Sequence, residues 1–213
     1  MNYAAHVGED AAHRCALHLD KVPKGTIQLC HIIPRAEHAD NLQMLERAWQ
    51  LPQGSFNQDT RWAQIYLCSN YHWGFDHGGW SFLPDTNVLW GILKGINGNP
   101  EFTGQDTYKY WISEVQRLRQ LGTPPKYFFI PLQTLDDRIS IGRLNLANPI
   151  VDGHHKYDYI NAPYDDQIKI SLPLHPFPVI AHFMKSWQML DAEFQQSIKG
   201  RLKGLQKMLI VAA

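Results

Sequence analysis

Two short stretches hold the residues best suited to chemistry. The first is Cys30-His31-Ile32-Ile33-Pro34-Arg35, and the second is Leu67-Cys68-Ser69-Asn70-Tyr71-His72-Trp73-Gly74-Phe75-Asp76-His77-Gly78. His72 and Asp76 stand four apart. On a helix that spacing sends both side chains off one face, where an imidazole and a carboxylate can grip one divalent ion. His31, at a strand edge, supplies a further imidazole, and a histidine placed opposite such an ion stands near any phosphate bound to it.

These residues need elements to hold them. Thr26–Ile33 is rich in β-favouring residues and is expected to be a strand. Asp40–Trp49 reads as a short helix capped by Asp40, and Leu51–Asp59, with its Pro, Gly, Asn and Gln, as a loop. Ala63–Leu67 is expected to be a second strand. Asn70–His77 is expected to be a short helix opened by Ser69 or Asn70 and closed by Gly78–Gly79, with Ser81–Leu83 extended after it. The order is strand, long loop, strand, helix.

Arranged this way, the motifs resemble the HNH endonuclease family, in the subgroup with an Arg-x-Cys-like opening, then His-Ile-x-Pro, then His-x-x-Phe-Asp-x-Gly. Arg14-Cys15-Ala16 resembles the opening, His31-Ile32-Ile33-Pro34 the middle signature, and His72 to Gly78 the last, so the likeness spans about Ala11–Pro84. The resemblance implies an α+β protein built on a ββα-metal unit: a two-stranded ribbon carrying His31, a helix carrying His72, and one divalent metal between them. It further implies hydrolysis of DNA phosphodiesters, which requires an activated water, charge stabilisation on the phosphate and help for the departing 3′-oxygen. A metal serves the last two needs, which leaves activation of water to His31. Imidazole suits that work because its ordinary pKa, about 6.5, leaves a neutral fraction at physiological pH. We therefore expect His31 and His72 to be catalytic, His72 and Asp76 to be metal ligands, and Arg35, beside His31, to contact substrate. An oxygen-and-imidazole site with room for water suits Mg²⁺ or Mn²⁺, and Mg²⁺ is the expected physiological cofactor.

The chain departs from the family pattern at Ala63-Gln64, where an asparagine-glycine pair is expected to brace the loop between the strands. Gln64, or Asn57 from the loop, is the candidate substitute. Cys30 stands where the family often carries an acidic or histidine ligand. A catalytically inactive nucleic-acid-binding module is the alternative reading of the Ala63-Gln64 departure. A structural Zn²⁺ set of Cys15, Cys30, Cys68 and His72 is chemically allowed but lacks the close Cys-x-x-Cys pairs that zinc sites favour, so structural zinc is not expected. Phe75 is read as core and His77 as a solvated neighbour.

Composition sets outer bounds. The 213 residues suffice for one large domain, or for a compact domain with an appendage, and 44% hydrophobic content can fill a core. Twenty basic residues against twenty acidic ones give no net charge, so any phosphate-binding face must be local. Three cysteines are too few for a disulfide scaffold, which points to an intracellular location. No long apolar stretch predicts a membrane partner, and monomer or homodimer is left open.

Asn-Gly-Asn-Pro near Ile96–Pro100 marks the expected boundary between a nuclease domain, 1–96, and a C-terminal accessory or substrate-recognition region, 97–213. Beyond it, Thr107–Leu121 is an expected helix, and Tyr127–Leu132 and Gln167–Leu172 are expected strands. Phe194, Ile198, Leu202, Leu205 and Leu209 mark one face of a C-terminal helix whose Lys199, Arg201, Lys203 and Lys207 read as a solvated face. The histidines and aromatics of Val151–Gln167, His154-His155 among them, read as a packed loop, and Pro173–Pro178 as a rigid approach to a helix.

Overall fold

The computed structural model describes residues 14–19, 25–98, 104–132, 140–145, 150–151, 154–161, 168–193 and 195–196. The first strand, β1 (Ile27–His31), leads through a short turn to α1 (Ala39–Ala48). The N-cap of α1 is His38, without a side-chain hydrogen bond, and Asp40 lies inside the first turn. The expectation that Asp40 caps this helix is thus corrected: its carboxylate complements the positive end of the helix dipole instead. Near the other end, buried Glu46 accepts hydrogen bonds from the backbone N–H groups of Gly54 and Phe56, both at 2.8 Å. One buried carboxylate so satisfies two loop donors that would each cost about 1–3 kcal/mol unpaired.

The loop ends in β2 (Gln64–Cys68), which pairs antiparallel with β1 so that His31 faces Gln64, Cys30 faces Ile65 and Ile27 faces Cys68. Alternation divides the ribbon into two faces. Gln28, Cys30, Ile65 and Leu67 share one, and Ile27, Leu29, His31, Gln64, Tyr66 and Cys68 the other.

β2 runs without a break into α2 (Ser69–Asp76), whose N-cap is Cys68 with no side-chain cap bond. Ser69 is already helical and its hydroxyl donates to the Thr26 carbonyl, so neither Ser69 nor Asn70 opens the helix as expected. Gly78 ends the turn at φ 70°, a left-handed conformation that glycine adopts without steric cost. Phe75 is fully buried on the inner face of α2, in one core cluster with Cys30, Leu67, Trp80 and Phe82. Truncating such a phenylalanine costs about 3–5 kcal/mol, so this residue fixes the distance between α2 and the ribbon.

β3 (Trp80–Pro84) follows, then α3 (Thr86–Gly98), α4 (Gly104–Gln120) and β4 (Lys126–Pro131). α3 was not expected. The Asn-Gly residues that read as a turn form its last part, and Asp85 begins it by accepting from the N–H groups of Asn87 and Val88. Next come β5 (Ser140–Leu144), β6 (Ile150–Val151), β7 (His154–His155), β8 (Tyr157–Asn161), β9 (Lys169–Ser171) and α5 (Pro176–Gln188). β5 pairs with β8 and β6 with β7, so the histidine pair lies in a strand rather than a loop. The central sheet has the order β3-β4-β9, all antiparallel, with α5 packed on β3. It joins a strand from before residue 96 to two from after it, and the main core cluster likewise draws on both parts.

The structure is therefore α+β, a ββα unit continued into mixed helices and antiparallel sheets. The expected C-terminal helix face from Phe194 to Leu209, with its four basic residues, lies outside the described residues, as do Tyr164, Asp165, Asp166 and Gln167. Among the described residues no helix is long and apolar enough to cross a membrane.

Candidate functional site

His31 is the last residue of β1, half-buried, with its imidazole at the ribbon's end. Its Nε2 lies 2.9 Å from Asp59 Oδ1 and 2.9 Å from Gln64 Nε2. In the tautomer whose Nε2–H donates to Asp59, the basic lone pair is at Nδ1. The Gln64 carboxamide, turned by half a rotation, then offers its oxygen to the same N–H. The other oxygen of Asp59 accepts from Arg35 Nη2 at 3.0 Å. The hydrogen bonds from His31 and then Arg35 hold the Asp59 carboxyl below its ordinary pKa, so it remains an anion beside the imidazole.

Asp59 is itself held in place by local bonds. Asn57 Oδ1 accepts from the Asp59 N–H at 2.8 Å, an Asx turn, and Gln58 Nε2 donates to the Pro34 carbonyl at 2.7 Å. Of the two candidate bracing residues, Gln64 thus touches His31 directly and Asn57 acts through Asp59. Asp59 was not singled out from the sequence. The Leu51–Asp59 loop reads there only as turn-forming, and nothing in its spacing ties an aspartate to a histidine 28 residues earlier.

His72 and Asp76 leave one face of α2 as their spacing requires, with Nε2 to Oδ2 at 3.2 Å. His72 Nδ1 lies 2.8 Å from Gln28 Oε1, and in the tautomer whose Nδ1–H donates to that amide oxygen the ring's lone pair is at Nε2. Nε2 then turns a lone pair toward a carboxylate oxygen. Two acceptors at this distance repel unless a cation, a proton or a metal, lies between them. Cys30, buried on the ribbon face beneath α2, completes a group in which thiol, imidazole and carboxylate atoms all lie within 4.8 Å of one another. Burial, and then the negative charge of Asp76, push the Cys30 thiol pKa up, which keeps the proton on sulfur while no cation is bound.

Arg35 is exposed, its guanidinium directed at Asp59 from outside. Trp73 is also exposed and stacks on His77 at 4.4 Å between ring centroids, which places His77 outside both the His31 and the His72 groups. The structure brings His31, Arg35, Gln64 and Asn57 together around Asp59, and His72 and Asp76 together with Cys30 and Gln28. The two groups are joined in sequence by the adjacent residues Cys30 and His31, which strand alternation places on opposite faces of the ribbon.

A ribbon with a histidine at its end, covered by a helix bearing a histidine and a carboxylate, is the ββα-metal arrangement of nuclease domains. Residues 14–83 match the model of the HNH endonuclease family. No curated protein and no solved structure matches the chain.

Proposed function

We propose that this protein is a metal-dependent endonuclease that hydrolyses DNA phosphodiester bonds with His31 as general base. The observation that carries this reading is the held imidazole at the end of β1: one ring nitrogen is fixed by Asp59, and the preceding residue, Cys30, faces His72 and Asp76. His72 and Asp76 would hold the divalent ion, with Cys30 behind them. When bound, that ion supplies charge stabilisation for the phosphate oxygens and the leaving oxygen. With Nε2–H held by Asp59, Nδ1 of His31 takes the proton of the attacking water as its oxygen bonds to phosphorus and the P–O3′ bond breaks. Asp59 stabilises the resulting imidazolium, as an oriented carboxylate does. Arg35, exposed beside this pair, contacts a neighbouring phosphate.

The donor set fits a divalent ion, since an imidazole nitrogen of His72 and a carboxylate oxygen of Asp76 face each other at 3.2 Å with the Cys30 thiol beside them. An imidazole donor favours Mn²⁺ over Mg²⁺, and a protonated thiol is a poor ligand for either. Residues 1–96 are read as the nuclease unit and 97–213 as an accessory region packed into the same globule, a reading of the second part supported by β4 pairing with β3 across that boundary.

Purified protein incubated with supercoiled plasmid should nick it in Mn²⁺ or Mg²⁺ and leave it intact in EDTA. The alternative of an inactive nucleic-acid-binding module draws on Gln64 in place of the asparagine-glycine pair. DNA binding without cleavage in either metal would favour that alternative.

A further inference from the structure

The ribbon face opposite Cys30 carries a second cluster. Residues 14–19 lie along β2, where the Ala16 N–H donates to the Tyr66 carbonyl at 2.8 Å. The Leu19 N–H closes a single helical turn on the Cys15 carbonyl, also at 2.8 Å. That turn puts Cys15 and His18, three apart, on one side, facing Cys68 at the end of β2. The ligand atoms of Cys15, His18 and Cys68 all lie within 4.8 Å of one another.

We propose that Cys15, His18 and Cys68 bind a zinc ion that staples residues 14–19 to the junction of β2 and α2. The spacing fits. Zinc at about 2.3 Å from sulfur and about 2.0 Å from nitrogen makes a tetrahedral S···N edge of roughly 3.6 Å. Cys68 Sγ and His18 Nδ1 are 3.8 Å apart. The ring of His18 is steadied edge-on by Tyr71, with centroids 4.7 Å apart. Two soft sulfurs and an imidazole select zinc over Mg²⁺ or Mn²⁺, and three protein ligands leave the fourth position to water.

The sequence has no Cys-x-x-Cys pair, and Cys15, Cys30, Cys68 and His72 do not form one ligand set. The fold divides them between two faces of the ribbon, and Cys15-x-x-His18 supplies the close pair in another form. This zinc site is independent of the nuclease reading, because it shares no residue with the His31, His72 and Asp76 groups.

The test is a Co²⁺ titration of the reduced, metal-free full chain, following the near-ultraviolet thiolate-to-cobalt absorption. The proposal expects the band to saturate at one Co²⁺ per chain and to be displaced by Zn²⁺. The band should persist in a Cys30→Ser/His72→Ala double variant. It should disappear in Cys68→Ser and need at least tenfold more Co²⁺ in His18→Ala, whose half-buried position leaves the fold intact by circular dichroism. No thiolate band in the wild-type protein overturns the proposal. So does a band lost in the Cys30→Ser/His72→Ala variant and kept in His18→Ala, or a Cys15–Cys68 disulfide that binds no Co²⁺ after reduction.

Discussion

Asp59 Oδ1 lies 2.9 Å from His31 Nε2, joining a loop residue to the strand histidine 28 positions earlier. If this carboxylate fixes the tautomer and stabilises the imidazolium, Asp59→Asn should slow cleavage by about tenfold or more with little change in DNA affinity. Single-turnover rates at saturating enzyme would report the change. An unchanged rate would make Asp59 a loop-bracing residue only.

Gln28 reaches His72 Nδ1 from the ribbon and sets which nitrogen faces Asp76. Outer partners of metal-ligating histidines are worth about 10–100-fold in affinity, so Gln28→Ala should weaken Mn²⁺ binding by that order and His72→Ala by more. Calorimetry with Mn²⁺ on both variants checks this. Equal affinity in His72→Ala and wild type would give His72 a structural role.

Arg35 tests how a chain of zero net charge holds a polyanion. Losing one phosphate contact should lower the slope of log affinity against log salt by about one, irrespective of DNA sequence. Arg35→Ala with an unaltered slope would move the binding face elsewhere.

Acid should weaken the fold through two buried histidines of α5. His182 stacks on Phe75 at 3.7 Å, sits 2.8 Å from Ser81 Oγ and has Lys185 nearby, while His175 accepts from the Phe177 N–H and lies 3.0 Å from the Tyr108 carbonyl. Burial lowers their pKa values from 6.5 to about 3 and about 4 respectively. The unfolded chain therefore takes up protons below pH 6.5 that the folded chain refuses. Stability from these groups is full above that pH and falls as pH drops toward 4, by a few kcal/mol in order of magnitude. Denaturant melts at pH 7 and 5 should differ less in His182→Gln than in wild type. An equal difference in the two proteins would contradict the assignment.

The ribbon and its helix were legible because His31-Ile32-Ile33-Pro34 and His72 to Gly78 combine strand and helix periodicity with residues that do chemistry. Their caps were not. Cys68 ends β2 and begins α2 with no polar side chain to announce it, and Asp40 falls inside the first turn of α1. The helix α3 was hidden because its Gly and Asn residues are those of a turn, and tertiary packing of Val88, Leu89 and Ile92 overrides that preference. At the site, the i, i+4 pairing of His72 with Asp76 follows from helix geometry alone. Asp59, Gln28 and the separation of the cysteines onto two faces depend on strand register and loop closure, which no local pattern encodes.

The most direct measurement is single-turnover cleavage of plasmid in Mn²⁺ by wild type and His31→Ala, with folding and DNA affinity measured on the same preparations. Loss of the general base should cost about 10²–10⁴-fold in rate while the fold and affinity stay near wild type. Cleavage by His31→Ala at the wild-type rate would contradict the assignment of His31 as the base.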